Sequence, residues 1–117
     1  MRHLEDQLQK SCIRFFDYQY PNLKNRLHHS PNGGKRNQVE AAKFKAMGVR
    51  AGFPDLILLH PNNFYPFMGI ELKTEKGRQS EHQKEYQKMF EEIGAKYVIV
   101  RSLDDFMREI KSYMEDY

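Results

Sequence analysis

Two acidic residues and a lysine form the part of the sequence best suited to chemistry. Asp55 opens a short apolar run, and Glu71 and Lys73 lie in the later run FMGIELK. Asp55 and Glu71 are 16 positions apart, and their midpoint, Asn63, is the centre of the turn PNNFYP. Residues at equal distances from the centre of a symmetric hairpin lie opposite each other. We therefore expect Asp55 beside Glu71 on adjacent strands, with Lys73 on the same face as Glu71.

Two neighbouring carboxylates are suited to holding a metal ion. At a separation of about 5 Å they repel by roughly 3 kcal/mol when the effective dielectric constant is about 20. A hard divalent cation offsets this repulsion, and oxygen ligands suit Mg²⁺ or Mn²⁺. Such a cation polarises a phosphoryl oxygen and lowers the pKa of a bound water, while Lys73 would orient that water or stabilise charge on the phosphate. The alternative is a salt-bridged triplet in which Lys73 only neutralises Glu71, and the short pattern leaves both interpretations open.

The elements that must position these residues follow from hydrophobic periodicity. The pattern predicts the order α-β-α-β-β-α-β-α, an α/β fold with a mixed central β-sheet flanked by helices. The two middle strands should form an antiparallel hairpin, and the last strand, which follows a helical crossover, should have a parallel partner. The predicted helices cover residues 3–18, 38–47, 80–93 and 103–116, and the predicted strands cover residues 25–30, 55–59, 67–73 and 96–101.

Composition limits the class of protein. The chain has 117 residues, of which 39% are hydrophobic and 30% charged, and this predicts a single globular domain over residues 1–117. Its one cysteine, Cys12, excludes an intrachain disulfide and a thiolate metal site. The charged N-terminus and the lack of an apolar run of about 18 residues argue against a secretory signal and a membrane span. The expected location is the cytoplasm of a bacterial or phage-infected host cell.

Positive charge is concentrated in one segment of the chain. The net charge is +3, yet residues 24–50 carry seven lysines and arginines against one glutamate. Within this segment the loop SPNGGKRN combines glycines, which let the backbone approach a phosphate closely, with two adjacent cations. A solvated basic face and an ordinary exposed turn are the alternative interpretations. The candidate DNA-binding residues are Gly33, Gly34, Lys35, Arg36, Lys76 and Arg78.

Two stretches of the sequence resemble a known nuclease family. GVRAGFPDLILL, followed by GIELKTEKGRQSEHQKEY, resembles the VRR-NUC (virus-type replication-repair nuclease) domain, a branch of the PD-(D/E)XK or restriction endonuclease-like superfamily. The superfamily motif is then Pro54-Asp55 followed by Glu71-Leu72-Lys73, and the resemblance covers about residues 3–115. It implies a metal-dependent DNA endonuclease that hydrolyses phosphodiester bonds with one or two Mg²⁺ or Mn²⁺ ions in each site.

The resemblance also implies roles for individual residues. The implied catalytic residues are Asp55, Glu71, Lys73 and Gln83, and the implied metal ligands are Glu5, Asp55, Glu71 and the backbone carbonyl of Leu72. Two of these residues have simpler explanations. Gln83 completes a capping box with Ser80 at the start of the third helix, and Glu5 is a favourable charge in the first turn of its helix.

The stretch PNGGKRN…EAAKFKAMGVRAG is similar to the compact stand-alone viral members of the family. Those members are similar to Holliday-junction resolvases and act as homodimers. The resemblance therefore implies a homodimer that cleaves Holliday junctions or other branched DNA, with no membrane partner and no small-molecule cofactor. The alternatives are a general endonuclease or nickase without junction preference, and a non-catalytic nucleic-acid-binding module on the same fold.

Overall fold

The computed structural model describes residues 2–31 and 38–116, and its elements follow the predicted order. Each predicted helix and strand is confirmed with slightly different ends, and a 3₁₀ helix at Pro21–Arg26 is added before the first strand. The helices are α1 (Arg2–Gln19), α2 (Gln38–Ala46), α3 (Glu81–Glu92) and α4 (Leu103–Glu115), and the strands are β1 (Leu27–His29), β2 (Leu56–Leu58), β3 (Met68–Leu72) and β4 (Lys96–Val100).

The described strands form one mixed sheet in the order β1-β2-β3-β4. β2 is antiparallel to β1 and to β3, whereas β3 and β4 are parallel, as the crossover through a helix predicts. Leu56 pairs with Ile70, and the midpoint of this pair is Asn63. The predicted hairpin register is therefore confirmed, and the next pair along the same register is Asp55 and Glu71.

Helices α1 and α4 cover one face of the sheet. Met68, Ile70 and Leu72 of β3 are buried on this face, where they share one apolar cluster with Phe16 of α1 and Phe106 of α4. Full burial of an apolar side chain of this size contributes about 1.5–3 kcal/mol. This cluster is therefore the main force that places β3 in the centre of the molecule.

Helix α3 covers the opposite face of the sheet. Its Phe90 lies so close to β3 that a Cβ atom at Gly69 would come within 2.6 Å of the Phe90 ring. Phe90 forms a second apolar cluster with Ala95 and Tyr97. The missing side chain at Gly69 thus lets α3 lie directly over the face that carries Glu71.

Local sequence sets the ends of the last two helices. Ser80 and Ser102 are the N-caps of α3 and α4, and their hydroxyl oxygens accept hydrogen bonds from the backbone N–H groups of Gln83 and Asp105. Gly94, with φ of +87°, follows α3 and turns the chain into β4. None of the helices in residues 2–31 and 38–116 is both long and apolar enough to cross a bilayer.

Candidate active site

Asp55 is held between its two neighbouring strands. It lies immediately before β2, and its Oδ2 accepts a hydrogen bond of 2.7 Å from the backbone N–H of Leu72. Its backbone carbonyl accepts a hydrogen bond from the N–H of Ser30 at 3.0 Å and lies 3.0 Å from Nδ1 of His29. The carboxylate of Asp55 is therefore hydrogen-bonded to the backbone N–H of Leu72, the residue between Glu71 and Lys73.

The surroundings of Asp55 disfavour its negative charge. Burial raises the pKa of Asp55, and the hydrogen bond from Leu72 opposes that shift. The charges of Glu5 and Glu71 raise the pKa of Asp55 further, whereas Lys73 lowers it, and the net effect is a raised pKa. Burial is the largest of these effects, and a bound cation would favour the charged form of Asp55 that its surroundings disfavour.

Glu71 is completely buried, and its two carboxylate oxygens have different surroundings. Oε1 accepts hydrogen bonds from the phenol of Tyr97 and from Nε2 of Gln79, the latter at 3.1 Å. Oε2 makes no hydrogen bond, and among the described residues it is the one buried side-chain oxygen or nitrogen without such a partner. Nζ of Lys73 lies 3.9 Å from Oε2, at the limit of an ion pair.

An unsatisfied buried carboxylate oxygen costs free energy unless it has a partner in the working protein. Glu71 is close enough for its charge to act on Asp55, whose own charge is disfavoured, and both carboxylates offer the hard oxygen donors that Mg²⁺ and Mn²⁺ prefer. The donor set therefore fits a divalent cation. The described residues contain no cluster of three or more His, Cys, Asp or Glu side chains already close enough to hold an ion.

The structure brings Asp55, Glu71 and Lys73 together as the sequence predicts. Glu5 of α1 is close enough for its charge to act on Asp55, but its role as a third metal ligand stays a prediction. The same is true of the carbonyl of Leu72, whose N–H already binds Asp55.

The predicted capping box at the start of α3 is confirmed. Oε1 of Gln83 accepts a hydrogen bond from the N–H of Ser80 at 2.8 Å, and the hydroxyl of Ser80 accepts one from the N–H of Gln83 at 3.2 Å. Gly52, with φ of +86°, packs against this helix end, because a Cβ there would lie 2.8 Å from the N of Gln83. The start of α3 therefore borders the loop that leads to Asp55, and the catalytic role of Gln83 stays a prediction.

Three side chains at the site were not predicted from the sequence. Tyr97 and Gln79 bind Glu71, and Nη1 of Arg101 donates hydrogen bonds to the carbonyls of Thr74 and Gly77, at 2.8 and 2.7 Å. Tyr97 pairs with Gly69, a residue two positions from Glu71 on the same face of β3. The sequence signal for the role of Tyr97 is its position opposite Gly69, two residues from Glu71. This signal can be recognised only when the strand register is already known.

The candidate DNA-binding residues divide into two groups. Lys76 and Arg78 are exposed in the segment that follows Lys73. Gly33, Gly34, Lys35 and Arg36 lie outside the described residues.

The mixed sheet, the hairpin with its acidic pair and the lysine two residues beyond Glu71 define a nuclease fold of the PD-(D/E)XK type. The sequence profile of the VRR-NUC domain matches residues 2–104, and the chain belongs to this family. A solved structure described as a VRR_NUC domain protein is 32% identical in sequence and superimposes with a TM-score of 0.83, covering 96% of this chain and 88% of its own. No curated protein matches the chain significantly. Membership of the family implies a nuclease, and nucleases of this type generally use divalent metals.

Proposed function

We propose that the protein is a metal-dependent endonuclease that hydrolyses phosphodiester bonds of DNA with Mg²⁺ or Mn²⁺. The observation that carries this proposal is the buried Oε2 of Glu71, which has no hydrogen-bond donor, lies 3.9 Å from Nζ of Lys73 and belongs to a carboxylate whose charge acts on Asp55. Lys73 and Oε2 form a long ion pair, but at 3.9 Å Nζ is too far away to donate a hydrogen bond. The oxygen is therefore available to another ligand as well.

Each residue of the site has a chemical task in this proposal. Asp55 and Glu71 hold the cation, with the Leu72 carbonyl and Glu5 as further ligands. The bound cation supplies Lewis acidity towards a phosphoryl oxygen and lowers the pKa of water. The amine of Lys73 donates a hydrogen bond that orients the attacking water or stabilises charge on the phosphate. The amide nitrogen of Gln83, whose Oε1 binds Ser80, remains able to donate towards the same centre.

We further propose that the substrate is a Holliday junction or other branched DNA and that the active form is a homodimer. This part of the proposal rests on the resemblance to the compact viral members of the family. A two-fold dimer carries two sites, which can cut two strands of one branched molecule. Lys76 and Arg78, together with Gly33, Gly34, Lys35 and Arg36, would bind the phosphate backbone.

The test uses purified protein with Mg²⁺ or Mn²⁺ on a labelled four-way junction and on a linear duplex of the same sequence. Cleavage of the junction alone, lost in Asp55→Ala and Lys73→Ala but kept in Asp104→Ala, is the expected result. Asp104→Ala is a matched control because it removes an exposed acid of α4. Equal cleavage of both substrates indicates a general endonuclease, and DNA binding without any cleavage indicates a non-catalytic module.

The mass of the protein in solution, measured by light scattering with and without junction DNA, tests the dimer separately. A protein that remains monomeric when bound to the junction would refute the dimer but leave the metal-dependent chemistry in place.

A further inference from the structure

The two carboxylate oxygens of Glu71 have different partners: Oε1 accepts two hydrogen bonds, whereas Oε2 accepts none. This difference points to a role for the two side chains that donate to Oε1. We propose that Tyr97 and Gln79 are positioning residues, which hold Oε1 of Glu71 so that Oε2 alone faces the metal. The inference rests on the proposed function because it concerns the same site. It adds two residues that determine the affinity for the ion.

Tyr97 approaches Glu71 from the neighbouring strand. It lies on β4 in register with Gly69, and its phenol donates a hydrogen bond to Oε1 of Glu71. The ring packs edge-to-face on Phe90 of α3, with 5.6 Å between ring centroids, and only 8% of the residue is exposed. The packed ring therefore restricts the hydroxyl group of Tyr97 to this hydrogen-bond partner. Since Gly69 has no side chain, the ring can lie across the sheet and reach an acid two residues further along β3.

Gln79 approaches Glu71 from the start of α3. Its Nε2 donates one hydrogen bond to Oε1 of Glu71 at 3.1 Å and another to Oε1 of Gln87 at 2.9 Å. Nε2 of Gln87 in turn donates to Oε2 of Glu91 at 3.2 Å. The relay fixes which end of the Gln79 amide faces the carboxylate, because an inverted amide would present its oxygen to two acceptors.

Two donors on one oxygen restrict rotation of the carboxylate about its terminal bond. If both donors were lost, the Glu71 carboxylate could turn, and either oxygen could pair with Lys73 Nζ, which now lies 3.9 Å from Oε2. The ligand would then have to be reoriented each time a cation binds. Hydrogen bonds to ligating side chains typically change metal affinity by about 10- to 100-fold, so we expect an effect of this size from either residue.

The experiment is calorimetric titration of Mn²⁺ into metal-free protein. Tyr97→Phe removes only the hydroxyl, and Gln79→Met removes both amide donors while keeping the length of the side chain. We expect each variant to bind Mn²⁺ about 10- to 100-fold more weakly than the wild-type protein. The cleavage rate should recover at saturating Mn²⁺, because the chemistry of Lys73 is intact.

The matched control is Tyr113→Phe. Tyr113 is also a buried tyrosine, 1% exposed, and its hydroxyl donates to the carbonyl of His60 at 2.7 Å, on the side of the sheet covered by α4. Its loss should lower the melting temperature and leave the affinity for Mn²⁺ unchanged. If Tyr97→Phe proves too unstable to study, Gln79→Met, which alters a half-buried residue, provides the same test.

The possible outcomes separate this inference from the proposed function. Wild-type protein that binds Mn²⁺ through Asp55, together with unchanged affinity in Tyr97→Phe and Gln79→Met, overturns the inference and leaves the proposed function intact. Equal weakening in Tyr113→Phe also overturns it, because loss of stability would then explain the effect. Wild-type protein that takes up no Mn²⁺ overturns both.

Discussion

At the scale of single residues, the site concentrates negative charge where the protein can least solvate it. Glu71 is fully buried, and burial raises the pKa of Asp55 against the hydrogen bond that Leu72 donates to it. Lys73, whose side chain is 13% exposed, carries a positive charge that lowers the pKa of Asp55. In the metal-free protein, the residues that would bind the ion therefore lower the stability of the fold. Unfavourable burial of charged groups is common at functional sites.

Replacement of Asp55 by asparagine should stabilise the metal-free protein. Because the pKa of Asp55 is raised by folding, the native state binds more protons than the unfolded state between the ordinary Asp pKa of about 3.9 and the raised value. The free energy of unfolding therefore falls as pH increases through this interval. Asp55→Asn removes this loss of stability, because asparagine does not ionise, and it keeps an oxygen that can accept a hydrogen bond from the N–H of Leu72. Denaturant unfolding across a pH series should show the variant to be more stable at neutral pH, with a smaller advantage in acid.

Asp105 provides a control of opposite sign. The N–H of Arg101 and the guanidinium of Arg108 hold the pKa of Asp105 below its ordinary value. Its contribution to stability is therefore present at neutral pH and is lost as pH falls, so Asp105→Asn should be destabilising at neutral pH. If Asp55→Asn behaved in the same way as Asp105→Asn, the raised pKa assigned to Asp55 would be wrong.

Lys73 should matter for the reaction much more than for metal binding. Its amine is 3.9 Å from Oε2 of Glu71, too far for a hydrogen bond, so Lys73→Met should leave the Mn²⁺ ligands in place. The single-turnover cleavage rate should fall by about 10²- to 10³-fold, the usual cost of removing one donor that stabilises charge in the transition state. Lys111→Met, an exposed lysine of α4, is the control and should cleave normally. A normal rate in Lys73→Met would exclude a catalytic role.

At the scale of elements, the hairpin was the most predictable part of the fold. Its register followed from the position of Asn63 alone, because strand periodicity and a symmetric turn leave few alternatives. Helix α2 marks the opposite limit. Val39 and Met47 lie at spacing that favours a shared apolar side, yet they are 79% and 70% exposed, and no residue of α2 is buried. Whether the apolar side of a helix is buried depends on tertiary packing, and sequence periodicity alone does not predict that packing.

Gly52 should be needed for close packing between the loop that leads to Asp55 and the start of α3. Both Gly52 and Gly94 have positive φ, at +86° and +87°, so an alanine at either position costs about 1–2 kcal/mol in backbone strain. A Cβ at Gly94 meets nothing within 4 Å, whereas one at Gly52 would lie 2.5 Å from the Cβ of His82. Gly52→Ala should therefore be clearly more destabilising than Gly94→Ala in urea unfolding. Equal destabilisation would mean that α3 does not pack tightly against this loop.

Gln83 combines a structural contact with a proposed catalytic one, and a single substitution can separate them. Gln83→Glu keeps an oxygen that can accept from the N–H of Ser80 and adds a favourable charge at a helix N-terminus, so stability should be unchanged or improved by about 0.3–1 kcal/mol. The amide donor is lost, and the cleavage rate should fall while the melting temperature does not. Normal cleavage in Gln83→Glu would reduce Gln83 to a helix cap.

At the scale of the whole molecule, residues far apart in the chain fasten the segment that follows the catalytic lysine. Arg101, at the end of β4, donates to the carbonyls of Thr74 and Gly77, which enclose Lys76. No local pattern indicates this contact, because partners 24 and 27 positions apart meet only when β3 and β4 pair in parallel. The sequence thus identifies Lys76 and Arg78 as cations near the site, but only the fold explains how their backbone is held in place.

If this fastened segment binds the phosphate backbone, it should contribute to the salt dependence of DNA binding. Each phosphate contact adds about 0.9 to the slope of log K against log salt concentration, so Lys76→Ala with Arg78→Ala should lower the slope by about 2. Binding would be measured with the Asp55→Asn protein so that the junction stays intact. Lys10→Ala with Lys111→Ala removes the same charge from exposed positions on α1 and α4 and should leave the slope unchanged. Equal slopes in the two double variants would mean that DNA contacts the molecule elsewhere, because the loss of charge alone would then account for any weaker binding.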